Sequence, residues 1–243
     1  MSNSPLVNYT KISPNKTSPR NHKIDTISIH CAVGQFTAKG ILNFSNFTKA
    51  DSKNGSSCNY AIGYDGSIGM GVEEKDRSWC TSSRSNDHRA ITIEVASDTK
   101  HPYKVTSKAY KSLVKLLVDI CQRNNIKELK WKADKTLIGQ VNKQNMTVHR
   151  WFANKACPGD YLYNLHGQIA KEVNAQLCEV PYKVEVKIND LNIRKGPGTK
   201  YAKTGKYTGK GVFTIIEEKN GWGKLKSGVG WISLKYTTKT QGE

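Results

Sequence analysis

The hydrophobic pattern changes near residue 178, and this change constrains the fold more than any other feature of the 243-residue chain. Before it, short apolar or alternating runs are interleaved with stretches of helical periodicity. After it, short β-rich runs are broken by glycine and proline, without any helical period. We therefore expect an α/β layer domain at 1–178, with its core at 22–177, a linker at 179–182, and a small all-β barrel domain at 183–243.

The first domain is predicted to contain several short strands. Residues 24–30 alternate apolar and polar side chains, which predicts a strand that ends at His30. Runs at 59–64 and 68–72 flank Asp65-Gly66 and predict a hairpin. The run at 90–96 is apolar enough for a central strand, and Glu94 interrupts it.

Helical periodicity is found in three places. Residues 38–46 predict a short helix, and residues 107–124 and 161–177 predict amphipathic helices that pack on the sheet. Residues 1–22 show neither helical nor strand periodicity, so we expect an extended lead-in there.

Charge and apolar content narrow the possible partners. Lys and Arg outnumber Asp and Glu 38 to 20, which favours attraction to polyanions. No signature of nucleic-acid binding accompanies this charge. No apolar run approaches the roughly 20 residues that span a bilayer, so stable membrane insertion is not expected. The start lacks the pattern of a secretory signal, which predicts synthesis in the cytoplasm.

Two histidines and one cysteine form a candidate metal site. His30 ends a strand, and His149 and Cys157 lie eight positions apart around a loop. Two imidazoles and one thiolate suit Zn²⁺, and three protein ligands leave a fourth position open, as in catalytic zinc sites. The six cysteines lack a disulfide-like spacing, so reduced thiols are expected. From spacing alone, the other histidines remain possible ligands; they are His22, His88, His101 and His166.

These segments resemble the amidase-2 family, which includes phage lysozyme-type amidases and peptidoglycan recognition proteins. The resemblance covers roughly residues 22–177 and rests on the strand ending in His30, the hairpin at Asp65-Gly66, the strand with Glu94, and the sequence from Val148-His149 to Cys157-Pro158. It implies a central mixed sheet flanked by helices and the activity of a zinc N-acetylmuramoyl-L-alanine amidase. By resemblance, His30, His149 and Cys157 are the zinc ligands.

The resemblance also implies catalytic roles. Glu94 matches a glutamate that serves as catalytic acid or base, and a carboxylate in an apolar strand is costly without a purpose. Lys155 matches a lysine that stabilises the oxyanion. Family members usually carry a tyrosine before the hairpin, but alignment on Asp65-Gly66 places Cys58 there and Tyr60 two residues later. A structural ion pair of Glu94 with Arg89 or with a lysine is the alternative.

Aromatic and polar residues near these positions are candidate substrate contacts, because aromatic rings can pack on sugars and polar groups can fix orientation. They are Trp79, Asn86, Asp87, His88, Arg89, Trp151 and Tyr60.

The second domain resembles bacterial SH3 domains over about residues 183–237. The resemblance rests on Leu191-Asn-Ile-Arg194, Gly196-Pro197 and the Gly-Trp pairs at Trp222 and Trp231. It implies a cell-wall-binding role, and the lysines of this domain could engage anionic wall polymers. Trp231 is expected in the barrel core.

The sequence as a whole therefore predicts a peptidoglycan hydrolase that cleaves the amide between the lactyl group of N-acetylmuramic acid and L-alanine. A phage or prophage endolysin that reaches the wall after release fits best, although a host autolysin would have the same sequence features. The alternative is a non-catalytic peptidoglycan-binding protein. The presence of Cys157 argues against that alternative, because such proteins usually lack this ligand.

Overall fold

The computed structural model describes residues 2–177 and 181–240. The chain divides into two compact units, Met1–Asn174 and Ala175–Glu243, called here the N-terminal and C-terminal units. The predicted boundary at Cys178 and residues 179 and 180 of the predicted linker lie outside the described residues. No helix in the described part of the chain is long and apolar enough to cross a membrane.

The N-terminal unit is built on a mixed sheet whose strands run in the order β1-β5-β4-β7-β3-β8. Strands β4, β7, β3 and β8 are parallel neighbours, whereas β5 runs antiparallel to β4. Strands β2 and β6 form a separate antiparallel ribbon. In chain order the strands are β1 Tyr9–Thr10, β2 Lys16–Thr17, β3 Thr26–Cys31, β4 Tyr60–Ile62, β5 Ile68–Met70, β6 Arg77–Ser78, β7 Ala90–Val95 and β8 Met146–Thr147.

Helices accompany this sheet, which confirms the predicted α/β class. Thr106 caps the helix over residues 107–123 by accepting a hydrogen bond from Ala109 N at 3.1 Å, and the helix buries Leu113, Leu117 and Ile120 at helical spacing. The predicted helix at 38–46 is two short helices. The helices are α1 Ala38–Leu42, α2 Ser45–Thr48, α3 Arg84–Arg89, α4 Ser107–Arg123 and α5 Gly159–Leu177.

The N-terminal segment contributes two short strands that the sequence did not predict within the expected extended lead-in. Strand β1 pairs in parallel with β5, and β2 pairs with β6. This pairing was not predicted because two-residue strands are too short to show periodicity. Arg20 is buried, and its guanidinium donates hydrogen bonds to the backbone carbonyls of Glu74 and Asp76, which precede α3, and of His88, which lies in α3, at 2.7–2.9 Å.

The C-terminal unit is an antiparallel sheet with the strand order β11-β10-β14-β13-β12-β9-β15. This is the all-β, SH3-like fold that the sequence predicts. Its core includes Val184, Ile193, Ile215 and Ile232. Trp231 is also buried, whereas Trp222 is partly exposed. The strands are β9 Tyr182–Val186, β10 Asn192–Arg194, β11 Lys203–Tyr207, β12 Gly211–Lys219, β13 Trp222–Leu225, β14 Trp231–Ser233 and β15 Thr237–Lys239.

Candidate active site

His30 lies on β3, an inner strand of the sheet. It is paired in register with Glu94 on the neighbouring parallel strand β7. Successive side chains of a strand alternate between faces, so Ser28 lies on the same face as His30, two positions earlier. Ser28 Oγ donates to Thr147 O at 3.3 Å and lies 3.2 Å from His30 Nε2. Since a hydroxyl has one proton to donate, Ser28 accepts the Nε2 proton, and Nδ1 keeps its lone pair.

His149 and Cys157 approach His30 from the loop after β8. The rings of His30 and His149 are 5.2 Å apart, and Cys157 Sγ is 3.4 Å from His30 Nδ1. Ser82 Oγ lies 3.0 Å from His149 Nε2, so this hydroxyl already contacts one nitrogen of the ring. One donor atom from each of the three residues lies within 4.8 Å of the others. The geometry therefore gathers two imidazole nitrogens and one sulfur around a common point.

The loop that carries these ligands is braced at its two ends. Arg150 N donates to Cys157 O at 3.1 Å, which ties the residue after one ligand to the other ligand. The Arg150 guanidinium bonds to Asp160 Oδ1 at 2.9 Å and to Ala156 O at 2.6 Å. Polar groups behind the ligands orient such sites.

The electrostatic environment keeps both imidazoles neutral. Burial lowers the pKa of His30 to about 3, and repulsion from His149 and His166 in their protonated forms acts in the same direction. Burial and the Lys155 ammonium lower the pKa of His149. Metal ligation requires an unprotonated imidazole nitrogen, so both residues are ready to bind.

The Cys157 thiol is held protonated in the absence of a cation. A hydrogen bond with the Cys31 thiol, burial, and the nearby Glu94 carboxylate all raise the pKa of Cys157 well above its usual range. A thiolate at this position would be costly without a positive charge beside it. The donor set therefore fits a divalent, thiophilic metal ion such as zinc, which stabilises a thiolate directly.

Glu94 lies on β7, beside the cluster of the three candidate metal ligands. Its Oε1 is 3.9 Å from His30 Nδ1 and accepts a weak hydrogen bond from the Cys80 thiol at 3.8 Å. Among the described residues, its buried Oε2 has no hydrogen-bond partner. Burial raises the pKa of Glu94 to about 7, against the small opposing effect of the Cys80 bond. Arg89 does not pair with it, since Arg89 pairs with Asp25 at 2.7 Å.

A cleft of about 670 Å³ opens at this cluster. Of the residues singled out from the sequence, Glu94, His149, Lys155, Trp79 and Asp87 line it. Lys155 is exposed, and its ammonium is near enough to His149 to affect its pKa. The cleft thus brings together a buried carboxylate, a lysine and the metal-ligand cluster, the combination needed for metal-assisted hydrolysis.

Tyr60 does not lie at the cleft. It pairs with Ile93 across β4 and β7, one position away from Glu94, and a shift of one residue moves a side chain to the other face of the sheet. Its ring is fully buried, and its hydroxyl donates to Glu74 Oε1 at 2.6 Å and accepts from Ser4 N at 2.9 Å. Tyr60 therefore has a structural role, and the prediction that it contacts the substrate was wrong.

Asn86 and Asp87 support the cleft from behind. Asn86 Oδ1 accepts from Thr147 Oγ1 at 3.1 Å, which joins α3 to β8. The buried Asp87 carboxylate accepts from Cys80 N at 3.0 Å and from Thr81 Oγ1 at 2.7 Å. These bonds fix the loop that carries Cys80 and Ser82.

Other candidates lie away from the cleft lining. Trp151 is buried and stacks on Trp131, with ring centroids 5.1 Å apart and a 6° interplanar angle. His88 is buried, and its Nδ1 accepts from Asn21 N at 3.0 Å. His166 is buried in α5 with Nδ1 donating to Leu162 O, whereas His22 and His101 bond to exposed partners. Within the described residues, none of these four histidines belongs to the metal-ligand cluster.

Sequence reasoning missed Ser28, Ser82 and Cys80. Alternation along β3 could have suggested Ser28, because it lies two positions before His30. Ser82 and Cys80 lie in an irregular loop far along the chain from their partners, so no periodicity points to them.

Two protein-family models match the chain, one in each of its two parts. The family model described as N-acetylmuramoyl-L-alanine amidase matches residues 20–160, and the model described as bacterial SH3 domain matches residues 189–238. YrvJ of Bacillus subtilis (strain 168), whose own assignment as an N-acetylmuramoyl-L-alanine amidase is provisional, is 39% identical over 51 residues. That match spans 20% of this chain and 10% of YrvJ, so the chain covers about a tenth of the length of this curated relative.

Several solved structures are similar to the chain. The endolysin amidase LysCS from Clostridium intestinale URNW is 16% identical, with 70% of this chain and 98% of LysCS covered and a TM-score of 0.45. A mutant endolysin from Bacillus subtilis is 17% identical, with 69% and 99% covered and a TM-score of 0.43. Drosophila peptidoglycan recognition protein SD is 17% identical, with 65% and 88% covered and a TM-score of 0.45.

Proposed function

Because the chain belongs to the N-acetylmuramoyl-L-alanine amidase family, whose model matches residues 20–160, we propose that it is a zinc-dependent peptidoglycan hydrolase. The bond cleaved is the amide between the lactyl group of N-acetylmuramic acid and L-alanine. The observation that carries the proposal is the cluster of His30, His149 and Cys157 beside a carboxylate oxygen of Glu94 that has no hydrogen-bond partner among the described residues.

His30, His149 and Cys157 would hold the zinc ion through one imidazole nitrogen from each histidine and the cysteine sulfur. When bound there, zinc would supply Lewis acidity to the scissile carbonyl and to the attacking water. Ser28 and Ser82 would restrain the two rings, since each hydroxyl lies within hydrogen-bond distance of a ring Nε2.

Glu94 acts as the proton carrier. Its Oε2 takes a proton from the attacking water and passes it to the leaving nitrogen of L-alanine. The side chain is 15% exposed, so it can reach the cleft while the sheet holds it beside His30.

Lys155 acts on the carbonyl oxygen. The ammonium group lines the same cleft as Glu94 and supplies a positive charge where the tetrahedral oxyanion develops. Trp79 lines the cleft as well and offers an aromatic face to the sugar or the stem peptide.

The C-terminal unit serves as a wall-binding module. Attachment of such a module raises the local concentration of the amidase at an insoluble substrate. We place the action of the protein at the bacterial wall after release from the cytoplasm, as an endolysin. Fractionation of a producing culture tests this setting, because protein found in the medium throughout growth would indicate an exported autolysin instead.

The amidase activity is tested by incubating the full chain with purified walls and measuring the release of free L-alanine amino groups together with bound zinc. We expect zinc-dependent release, and loss of both zinc and release in Cys157→Ser. Folded protein that binds walls without releasing amino groups in the presence of zinc would identify a non-catalytic peptidoglycan-binding protein instead.

A further inference from the structure

A second cleft lies in the N-terminal unit, lined by none of the residues assigned to catalysis. It has a volume of about 910 Å³ and lies between an irregular segment at 128–134 and helix α5. Lys130, Trp131 and Lys132 line it from the segment, Lys171 lines it from α5, and Lys143 lines it from the turn before β8. It is called here the lysine cleft.

The segment at 128–134 has no helix or strand, yet its backbone is held firmly. Three amide side chains, those of Asn145, Gln144 and Asn174, each both accept a hydrogen bond from this backbone and donate one to it. Asn174 accepts from Leu129 N at 2.7 Å and donates to Leu129 O at 2.8 Å. Asn145 accepts from Lys130 N at 2.7 Å and donates to Glu128 O at 2.8 Å. Gln144 accepts from Lys132 N at 2.9 Å and donates to Asp134 O at 2.8 Å.

This arrangement fixes the side chains that project from the segment. Gln144 and Asn145 are buried, so their amides cannot turn to water without loss of stability. An irregular surface segment that is held in this way positions its side chains as a rigid element would, which is the requirement for a binding site.

Most charged side chains of the lysine cleft are positive and are accessible to a ligand. Lys132, Lys143 and Lys171 are exposed, and among the described residues no carboxylate lies within ion-pair distance of them. Lys130 is partly buried and pairs with Glu128 at 3.4 Å. The Asp134 carboxylate already accepts hydrogen bonds from Thr136 N and Oγ1 at 2.8 and 2.7 Å. Three ammonium groups therefore remain free to bind an anion.

Trp131 supplies an apolar wall beside these ammonium groups. One face of its ring stacks on Trp151, and the rings of His166 and Tyr163 also pack against it, with centroids 4.5 and 5.4 Å away. The ring is partly exposed and lines the cleft. Carbon chains pack on such a surface, while charged groups of the same ligand reach the lysines.

We propose that the lysine cleft binds the phosphodiester backbone of an anionic wall polymer, independently of the C-terminal unit. Ammonium groups bind phosphate as point charges, and a polyol phosphate chain offers repeated charges joined by short carbon units that can pack on Trp131. This inference rests on the proposed action at the wall, which brings the chain to such polymers. The phosphates of duplex DNA would also attract these lysines, so DNA is included in the test as the competing occupant.

Bound polymer would keep the amidase on the wall between successive cuts. A second attachment point on the catalytic unit converts release into a two-step process and slows dissociation without altering the active site.

The test uses the full chain and purified poly(glycerol phosphate) at low ionic strength. The cleft variant carries Lys132→Gln, Lys143→Gln and Lys171→Gln. A matched control removes the same charge from the exposed residues of α4 through Lys108→Gln, Lys111→Gln and Lys115→Gln. We expect the cleft variant to bind the polymer about tenfold more weakly and the control to bind within about twofold of the unmodified chain.

Equal losses in both variants would overturn the proposal in favour of general charge attraction, as would unchanged binding in the cleft variant. Duplex DNA that competes as well as the polymer would also overturn it. Hydrolysis of a soluble muropeptide is measured in parallel. The cleft variant should retain it, so failure of polymer binding can be distinguished from failure of the amidase proposal.

Discussion

His30 and Glu94 face each other in register on the parallel strands β3 and β7, and their side chains approach to 3.9 Å between Nδ1 and Oε1. Parallel pairing places one side chain from each strand on the same face at the same height, so the sheet itself sets this separation. The residues proposed as a metal ligand and as the proton carrier are thus positioned by the backbone hydrogen bonds of the sheet.

The first prediction concerns the role of Glu94 in catalysis. Glu94→Gln keeps the size of the side chain but cannot carry a proton, and we expect amide hydrolysis to fall by about 10²–10⁴-fold. Bound zinc should remain close to one equivalent per chain. The measurement is the turnover of a soluble muropeptide together with metal analysis. Retention of activity within a fewfold would remove Glu94 from the mechanism.

The second prediction concerns the serine behind His30. Ser28→Ala removes the acceptor for the Nε2 proton, so the ring can rotate or change tautomer, and we expect zinc affinity to fall by about 10–100-fold. Competition with a chelator measures the dissociation constant. Ser85→Ala, at an exposed position whose hydroxyl bonds to Ser83, is the matched control and should leave zinc affinity unchanged. Equal zinc affinity in the two variants would show that Ser28 does not orient His30.

The third prediction concerns the pH dependence of stability. Lys16 Nζ bonds to the buried Asp76 carboxylate at 2.6 Å. Burial alone would raise the pKa of Asp76, but hydrogen bonds from Lys16 and Ser18 and nearby positive charges outweigh it and lower the pKa. A lowered carboxyl pKa contributes stability above the unfolded value of about 3.9, and this stability is lost as the pH falls through the folded value.

Asp76→Asn should therefore lower the free energy of unfolding by about 1–3 kcal/mol at neutral pH. The deficit should shrink as the pH falls from about 4 towards the lower pKa of folded Asp76, because the unfolded state is protonated first and the folded carboxylate then loses its charge as well. Denaturant unfolding at several pH values measures it. A deficit that is constant down to the acid range would assign the effect to packing instead of charge.

The fourth prediction concerns Arg20, which joins the N-terminal segment to the turns around α3. Arg20→Lys keeps the charge but cannot reach all the carbonyls that the guanidinium contacts, so buried acceptors are left without partners. We expect a loss of about 2–4 kcal/mol in the free energy of unfolding. The exposed Arg84→Lys is the control for the chemical change itself and should cost less than about 0.5 kcal/mol. Similar losses in the two variants would show that the Arg20 contacts contribute little.

Much of the fold follows from periodicity in the sequence. The strand that ends at His30 and the interruption of an apolar strand by Glu94 were visible because both strands are long enough to show a pattern. The position of the Tyr60 side chain could not be predicted, because a one-residue difference in register decides which face of the sheet it occupies. Strands β1 and β2 are too short to show alternation. The side-chain amides of Gln144, Asn145 and Asn174 form hydrogen bonds with backbone groups up to 45 positions away, and no local sequence pattern reveals these bonds.

Strand β1 has a practical consequence for the design of chimeric proteins that carry this N-terminal unit. It covers the outer edge of β5 through parallel pairing of Tyr9 with Gly69. A fusion junction placed at the start of the apparent core, near residue 22, would remove this cover and leave β5 as an exposed strand, which is a template for aggregation. Modules exchanged between enzymes of this type should therefore be joined ahead of β1, so that the whole N-terminal segment travels with the catalytic unit.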